Sequence, residues 1–417
     1  MSRRKISLIH FLKWLHPGIG IKRWILLASL GLGMVGIGSA EILIKAGLYN
    51  RLFGLLTLII GVGLVVSGIK QMMQSLITAI LPKREEELVN ILYHKRHLVR
   101  GPKIVAIGGG TGLSTLLRGL KEYTNNITAI VTVTDDGGSS GRLRTQFDVP
   151  PPGDIRNCLV ALADAEPLMG ELFQYRFQEG TDLKGHSFGN LFITAMTQVA
   201  GDFDQAIKQS SKILAIRGRV VPSTLKRVTL IATHEDGKVT YGETRLAKSK
   251  SPVKDIELRP NDCKPTPEAL DAIVEAEAII LGPGSLYTSV ISNLLVGGVV
   301  RAIENSTALK VYICNVMTQS GETDGYSASD HVKALVAHTS PRILDVCVVN
   351  SGTIPAHLLA KYKEEGASQV MIDREAVKEM GYRLVEKDVI TTKDFVRHDS
   401  DKLAKLIISL VETGEVK

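Results

Sequence analysis

The hydrophobic pattern changes character near residue 100. Before it, two runs, "WILLASLGLGMVGIGSA" from Trp24 and "LFGLLTLIIGVGLVVSGI" from Leu52, each extend 17 to 18 residues without a charge. That length is near the minimum for a helix that crosses a bilayer, and membrane helices tolerate the glycines that interrupt both runs. From Lys103 onward the apolar runs shorten to strand length: "KIVAIGG", "ITAIVTVTDD", "TLKRVTLIATHEDG", "EAIILGPGS", "LKVYICNVM" and "ILDVCVVNSG", with helix-like segments between them. Short Val/Ile-rich strands alternating with helices predict an α/β domain, a doubly wound and mostly parallel sheet with helices on both faces. Residues 220–257, with "HEDGKVTYGE", read as a β-hairpin inserted in that plan. "HDSDKLAKLIISLVE" reads as a capped amphipathic helix. The pattern thus divides the chain into residues 1–70, with transmembrane helices over about 24–44 and 52–69, a charged helical linker over 71–102, and a domain over 103–417.

Charge orients the first part. Arg3, Arg4, Lys5, Lys13, Lys22 and Arg23 precede the first run; Lys70, Lys83, Arg84, Lys95, Arg96 and Arg100 follow the second; Lys45 and Arg51, with Glu41, lie between. The positive-inside rule makes this a hairpin with both ends in the cytoplasm, and the chain a multi-pass protein of the cell membrane with its large C-terminal domain in the cytoplasm. A soluble hydrophobic hairpin and a membrane-surface element are the alternative readings. These flanks hold much of the net charge of +7, so the sequence pI of 9.1 requires no nucleic acid. Residues 101 onward carry no long basic run, no zinc-finger spacing and few aromatics, which excludes nucleic acid as the expected partner. Cys158, Cys263, Cys314 and Cys347 form no CxxC pair and lie in or beside apolar segments, as reduced core thiols would.

In a doubly wound sheet, ligands sit where strands lead into helices. Gly108, Gly109, Gly110, Thr111 and Gly112 follow the first strand, and such a turn lets backbone amides and a helix N-terminus meet an anion. The spacing is neither a P-loop nor a dinucleotide fingerprint, because no Gly-Lys-Ser/Thr follows and Leu113 stands where a third glycine belongs. Asp135 and Asp136 open "DDGGSSGRLR" after the second strand. There a carboxylate could bind a ribose or hold Mg²⁺ against phosphates, with Arg142 and Arg144 adding cations, or be merely solvated. In "PPGDIRNCL" the prolines lead to Asp154, an N-cap or first-turn residue, beside Arg156 and Asn157. His186 and Asn190 share one face if helical, and Ser187 can cap that helix. His186 reads as ligand contact, general base or core histidine, and no zinc-ligand spacing accompanies it. Gly282, Pro283, Gly284 and Ser285, then Tyr287, Thr288 and Ser289, repeat the first loop's logic as a second anion site at a helix N-terminus. Asn315, Thr318, Gln319 and Glu322 suit hydroxyl or base recognition. No G-x-S-x-G surrounds Ser285, so a hydrolase elbow is not indicated.

Taken together, "GGGTGLS", "TDDGGSSGRLR", "PPGDIRNCL", "HSFGNL", "GPGSLYTS" and "MTQSGETDGYSASDHV" resemble, in order, the motifs of the gluconeogenesis-factor family (YvcK-like), a branch of the 2-phospho-lactate transferase (CofD)-like superfamily. The resemblance covers roughly Lys103 to Glu412 and implies a Rossmann-like fold that binds a nucleotide diphosphate-sugar, with UDP-N-acetylglucosamine as expected ligand. It implies a role in cell shape and envelope-precursor supply during gluconeogenic growth, with homo-oligomers and protein partners in carbon metabolism or envelope synthesis. It places Gly109 to Gly112, Asp135, Asp136, Asn190 and Gly282 to Ser285 along the nucleotide cleft, and Tyr362 and Arg397 as C-terminal ligand contacts. Tyr362 as an exposed helix residue and Arg397 as a surface cation near Asp399 are the alternatives. The first hundred residues depart from the usual family pattern.

Three functions are thereby in contention. In a regulatory binding protein, Asp135, Asp136 and His186 orient ligand and any Mg²⁺. In a CofD-type transferase, Asp135 or Asp136 holds Mg²⁺ on a nucleotide diphosphate donor while an acceptor hydroxyl attacks, with His186 as candidate base. A nicotinamide-dependent oxidoreductase rests on Asp135 alone and has the wrong glycine spacing.

Overall fold

The computed structural model describes residues 21–44, 47–80, 98–164, 167–249, 251–393 and 395–414. It divides into a unit of residues 1–95 and a unit of residues 96–417. Among its described residues the first holds two helices, α1 (Ile21–Ile44) and α2 (Leu48–Ile80), each long and apolar enough to cross a membrane. Both outrun the apolar stretches that predicted them, because Lys22, Arg23, Gln71 and Gln74 continue a helix that hydropathy does not count. Of the predicted linker, 71–80 is thus part of α2, and 81–97 lie outside the described residues.

Glycines explain how α1 and α2 pack. A Cβ on Gly31 would stand 2.7 Å from Gly61 O, one on Gly38 2.7 Å from Gly54 O, and one on Gly68 2.9 Å from Ala28 N. Gly31 and Gly38 on α1 and Gly54, Gly61 and Gly68 on α2 thus recur at seven-residue spacing where the backbones meet, the device by which membrane helices approach closely without water to drive them together. The outward positions, among them Leu26, Leu32, Leu43, Phe53 and Ile59, are exposed apolar side chains suited to lipid.

The second unit is built on seven strands: β1 (Ile104–Gly108), β2 (Ile127–Val131), β3 (Arg219–Pro222), β7 (Ala278–Leu281), β8 (Leu309–Ile313), β9 (Val346–Asn350) and β10 (Arg383–Lys387). Their spatial order is β10-β9-β8-β7-β1-β2-β3, and every neighbouring pair is parallel. The chain winds outward from β1 to β3, then returns to the other side of β1 and winds outward from β7 to β10. The switch point lies between β1 and β7, so the loops after these two strands open side by side.

Three short strands, β4 (Thr229–His234), β5 (Val239–Tyr241) and β6 (Val253–Arg259), form a separate antiparallel sheet in the order β5-β4-β6. This corrects the pattern reading on one run: "TLKRVTLIATHEDG" supplies β4 of the insertion rather than a parallel strand. The third parallel strand is the preceding "RVVP", Arg219–Pro222, which overlaps the start of the span assigned to the hairpin. Both are short apolar runs, and periodicity cannot say which sheet a run will join. The edge strand β10, "RLVEK", gave no strand signal because only two of its residues are apolar.

Strand residues alternate strictly between two cores. Val105, Ile107, Ile130, Ile279, Leu281, Tyr312 and Cys347 join the face covered by β4–β6 and residues 267–303. Ile104, Ala106, Ala129, Val131, Ile280, Val311 and Val348 join the other. That second face is covered by α3 (Gly110–Leu120), α5 (Gly153–Leu162) and the last helix, α9 (Ser400–Thr413); α4 (Gly138–Phe147), α6 (Phe188–Ala200), α7 (Ala328–Ala337) and α8 (Ala356–Glu364) complete the elements used below. Leu113, Leu116, Leu117 and Leu120 recur at helical spacing on α3 and are wholly buried, each contributing about 1.5–3 kcal/mol. All four cysteines are buried and free, as their apolar surroundings foretold. Asp399 caps α9, accepting from the amides of Asp401 and Lys402.

Gly119 fixes how α9 lies on α3: a Cβ there would collide with Ser400 O and stand 2.8 Å from Ala404 Cβ. Gly119→Val is expected to lower the urea midpoint of unfolding by an amount equivalent to about 1–3 kcal/mol, as overpacking does elsewhere. An unchanged midpoint would mean that the two helices separate freely.

Candidate functional site

The loop after β1 is shaped by what its glycines leave out. Gly109 occupies the N-cap of α3 with no side-chain cap, so beyond the Gly110 amide, which Asp154 takes, first-turn N–H groups are open to an anion. A Cβ on Gly109 would lie 2.5 Å from Asp154 Oδ2 and 2.7 Å from Thr132 Cγ2. One on Gly112 would lie 2.5 Å from Pro283 O and 3.0 Å from Gly284 N, which places the loop after β1 and the loop after β7 backbone to backbone. Any side chain at position 112 would force them apart. Gly110 faces open space. The second loop continues into a π-helical turn, Leu286–Ile291, rather than the predicted α-helix N-terminus. Such turns arise where a helix carries one residue more than an α-turn accommodates, often at functional sites. Tyr287 and Thr288 are consequently buried, and the Tyr287 hydroxyl meets that of Tyr326 at 2.8 Å rather than facing a ligand.

Beside the two loops lies a cleft of 280 Å³ lined by Thr111, Gly112, Thr115, Pro283, Gly284, Ser285, Asn315, Val316, Met317, Gln319, Tyr362, Val396, Arg397 and His398. Tyr362, on α8, donates its hydroxyl to Val396 O at 3.2 Å. The Arg397 guanidinium lies 5.1 Å from the centre of the Phe395 ring, and Lys361 Nζ lies 4.1 Å from the same centre. Tyr362 is half-buried and Arg397 is exposed, and both line the cleft. His398 was not foreseen. Burial holds its imidazole neutral, pushed down to about 4. Its only sequence signal was adjacency to Arg397.

Carboxylates gather on the β2 side. Asp154, in the first turn of α5, accepts from the Gly110 amide and so joins α5 to the glycine loop. Burial, reinforced by the nearby Asp135, raises it from the ordinary 3.8 to about 6, against the pull of that amide and of Arg156. Asp135 accepts from the Gly137 amide at 2.9 Å. Asp136 turns elsewhere: one of its oxygens accepts from the amide and hydroxyl of Thr244, at 2.9 and 2.7 Å, fastening β2 to the antiparallel insertion. Arg144 likewise does not face a ligand; it is buried and donates to the carbonyls of Thr134 and Val228. The insertion contributes Glu243, which accepts from the Thr134 hydroxyl and is pushed well up by burial. A lone glutamate after a hairpin gave no clue that the fold would bring it under the glycine loops.

His186 and Asn190 also converge, by a route different from the one predicted. His186 precedes the helix; Ser187 is the N-cap of α6, accepting from the Asn190 amide at 3.1 Å. His186 Nδ1 lies 3.0 Å from Ser139 Oγ, and Asn190 Nδ2 donates to the same oxygen at 3.2 Å. Arg156 is buried behind them and donates to Ser187 Oγ and Asn190 Oδ1 at 2.5 and 3.0 Å. Burial and the neighbouring Arg142 and Arg176 lower the His186 pKa, favouring the neutral ring. The predicted site residues thus fall into two neighbourhoods. Thr111, Gly112, Gly284, Ser285, Tyr362 and Arg397 line the cleft, whereas Asp135, His186 and Asn190 surround the start of α4; Asp154 and Gly110 join the two. Among the described residues no group of three or more His, Cys, Asp or Glu is disposed to hold a metal ion.

Because the folded pKa of Asp154 lies above its ordinary value, its ionisation burdens the fold: the penalty is absent below pH 3.8, grows as pH rises, and is complete above about 6. Asp154→Asn is therefore expected to flatten the fall in melting temperature between pH 4 and pH 7. An unchanged profile would place the titrating group elsewhere.

Comparison with known proteins bears on the fold and the family. The sequence model of the 2-phospho-L-lactate transferase CofD family matches residues 104–390. The gluconeogenesis factor of Bacillus subtilis is 51% identical over 312 residues, 75% of this chain and 98% of its own length. A Clostridium acetobutylicum relative is 45% identical over 415 residues, 96% of this chain and 92% of its own, so its match reaches into the apolar helices. A crystal structure of a Bacillus halodurans protein, 48% identical, superposes with a TM-score of 0.73 over 74% of this chain and all of its own. The chain therefore belongs to the gluconeogenesis-factor family, within the 2-phospho-L-lactate transferase CofD family.

Proposed function

We propose that this protein binds a nucleotide diphosphate-sugar of the UDP-N-acetylglucosamine kind and acts as a regulator rather than through turnover. The observation that carries the reading is the contact of Gly112 with Pro283 and Gly284. Two glycine loops pressed together at the switch point form one surface of backbone amides suited to phosphate, and the cleft beside it offers Asn315, Gln319, Tyr362 and Arg397 to a nucleoside or sugar. The hairpin, with basic flanks on both ends, anchors the domain to the cytoplasmic face of the cell membrane, near enzymes that consume the sugar there. Through protein partners in carbon metabolism or envelope synthesis, occupancy of the cleft is read out as control of cell shape and precursor supply during gluconeogenic growth.

The second reading is a CofD-type transferase, favoured by the family match and by the proximity of Asp135 and Asp154. Those two are the residues that would face Mg²⁺ on a diphosphate. With one Asp135 oxygen held by Gly137 and Asp136 held by Thr244, they are too few for a complete protein site, so no step is assigned to a metal.

Calorimetric titration of the full-length protein with UDP-N-acetylglucosamine, GDP and NAD, each with and without Mg²⁺, followed by mass spectrometry of the recovered ligand, separates the readings. Saturable binding of intact UDP-sugar is expected; a cleaved ligand, or preference for GDP or NAD, would favour an enzyme. Fractionation is expected to find the full chain in membranes and a chain starting at Lys103 in the soluble fraction; equal solubility would remove the anchor.

A further inference from the structure

Ser285, on the second glycine loop, donates its hydroxyl proton to Gln319 Oε1 at 2.6 Å. The other end of the same amide, Nε2, donates to Glu322 Oε1 at 2.8 Å. Ser285 and Gln319 line the cleft, but Glu322 is only 2% exposed, and its second oxygen, Oε2, has no hydrogen-bond partner among the described residues. Glu322 thus stands behind the cleft wall, reaching it through one side-chain amide.

An amide has ends of opposite polarity, and a serine hydroxyl has one proton to give. In this arrangement the donor end of Gln319 faces Glu322, which suits a carboxylate. A phosphate oxygen that takes the Ser285 proton leaves Gln319 Oε1 without its donor. Turning the amide over restores the pairing, with Nε2 donating toward Ser285 and the ligand. Oε1 then faces Glu322 and needs a donor there, which a carboxylic acid has and a carboxylate lacks. We propose that Gln319 couples occupation of the phosphate cradle to uptake of one proton by Glu322, which makes Glu322 a positioning residue for the cleft. The proton comes from solvent and forms an O–H bond on the glutamate; no other bond changes. The inference rests on the reading of the cleft as a nucleotide-diphosphate site.

The surroundings of Glu322 support this. Burial lifts it to about 7, against the opposing amides of Tyr287 and Thr288, so either protonation state is accessible near neutrality. The titratable groups coupled to it across the insertion and the π-helical turn are Glu243 and Tyr287, and neither brings a positive charge that would hold the carboxylate ionised. Since the bound state has the higher pKa, binding takes up protons. Affinity is then greatest below pH 7 and weakens as pH rises, by up to about tenfold per pH unit until the bound-state pKa is reached.

The test is titration of the full-length protein in detergent with UDP-N-acetylglucosamine, whose diphosphate diester does not itself titrate near neutrality, between pH 6.5 and 8.5. At each pH, two buffers of different protonation enthalpy report protons taken up. The expected result is uptake approaching one proton near pH 8 and a Kd that weakens up to about tenfold from pH 7.5 to 8.5. Glu322→Gln, which can donate at every pH, is expected to lose both the buffer difference and the pH slope, and Gln319→Leu to lose the buffer difference. Heats independent of buffer in the unmodified protein overturn the coupling, as does proton uptake that persists in Glu322→Gln. Absence of UDP-sugar binding at every pH overturns the nucleotide-sugar reading and the coupling with it; binding without proton exchange overturns the coupling alone.

Discussion

The site depends on one close approach, Gly112 against Pro283 and Gly284. Parallel strands β1 and β7 lie side by side at the switch point, which brings the loops that follow them within reach. Only the lack of a side chain lets them touch, since a Cβ at position 112 would stand 2.5 Å from Pro283 O. Two sets of backbone amides that would otherwise face solvent separately are thereby made into one surface. The remaining elements hold that surface in place: α3 is pinned below by the α9 contact at Gly119, and Asp154 reaches from α5 to the Gly110 amide.

Holding polar backbone in the middle of an α/β core brings carboxylates with it. Asp154, Glu243 and Glu322 are all raised by burial, and their charged neighbours are largely one another. Arg156 beside Asp154 and Arg144 near Glu243 offset only part of that burial, so these groups hold protons more readily than exposed carboxylates do. A phosphate in the cradle brings negative charge near them. The surrounding chemistry therefore suits a site whose charge state responds to its ligand, which fits a sensor as naturally as a catalyst.

The antiparallel insertion belongs to the same arrangement. Thr134 and Asp136 after β2 are tied to Glu243 and Thr244, and Arg144 on α4 to Val228, three links to the antiparallel insertion. Residues that looked like ligand contacts in the glycine-serine stretch instead fasten the insertion to the parallel sheet. The Thr134 and Glu243 link also carries the insertion's own carboxylate to the edge of the acidic group.

By itself the sequence determined what local chemistry controls. Charge-free runs of bilayer length specify α1 and α2, and Val/Ile-rich runs specify six of the ten strands in the seven-stranded and three-stranded sheets. Glycines after β1 and β7 announce backbone turns, and Ser187 and Asp399 announce helix starts, because each such signal is spent within a few residues of where it is written. Tertiary structure decided which apolar run joined which sheet, that Asp136 and Arg144 turn toward the insertion, and that His186 reaches Ser139 from outside its helix. It alone brought Glu243 and His398 into the neighbourhood of the cleft, and it set Glu322 behind the cleft wall rather than on it. These outcomes depend on contacts between residues tens to more than a hundred positions apart, as with Thr134 and Glu243, and no local periodicity or spacing encodes a partner at that distance.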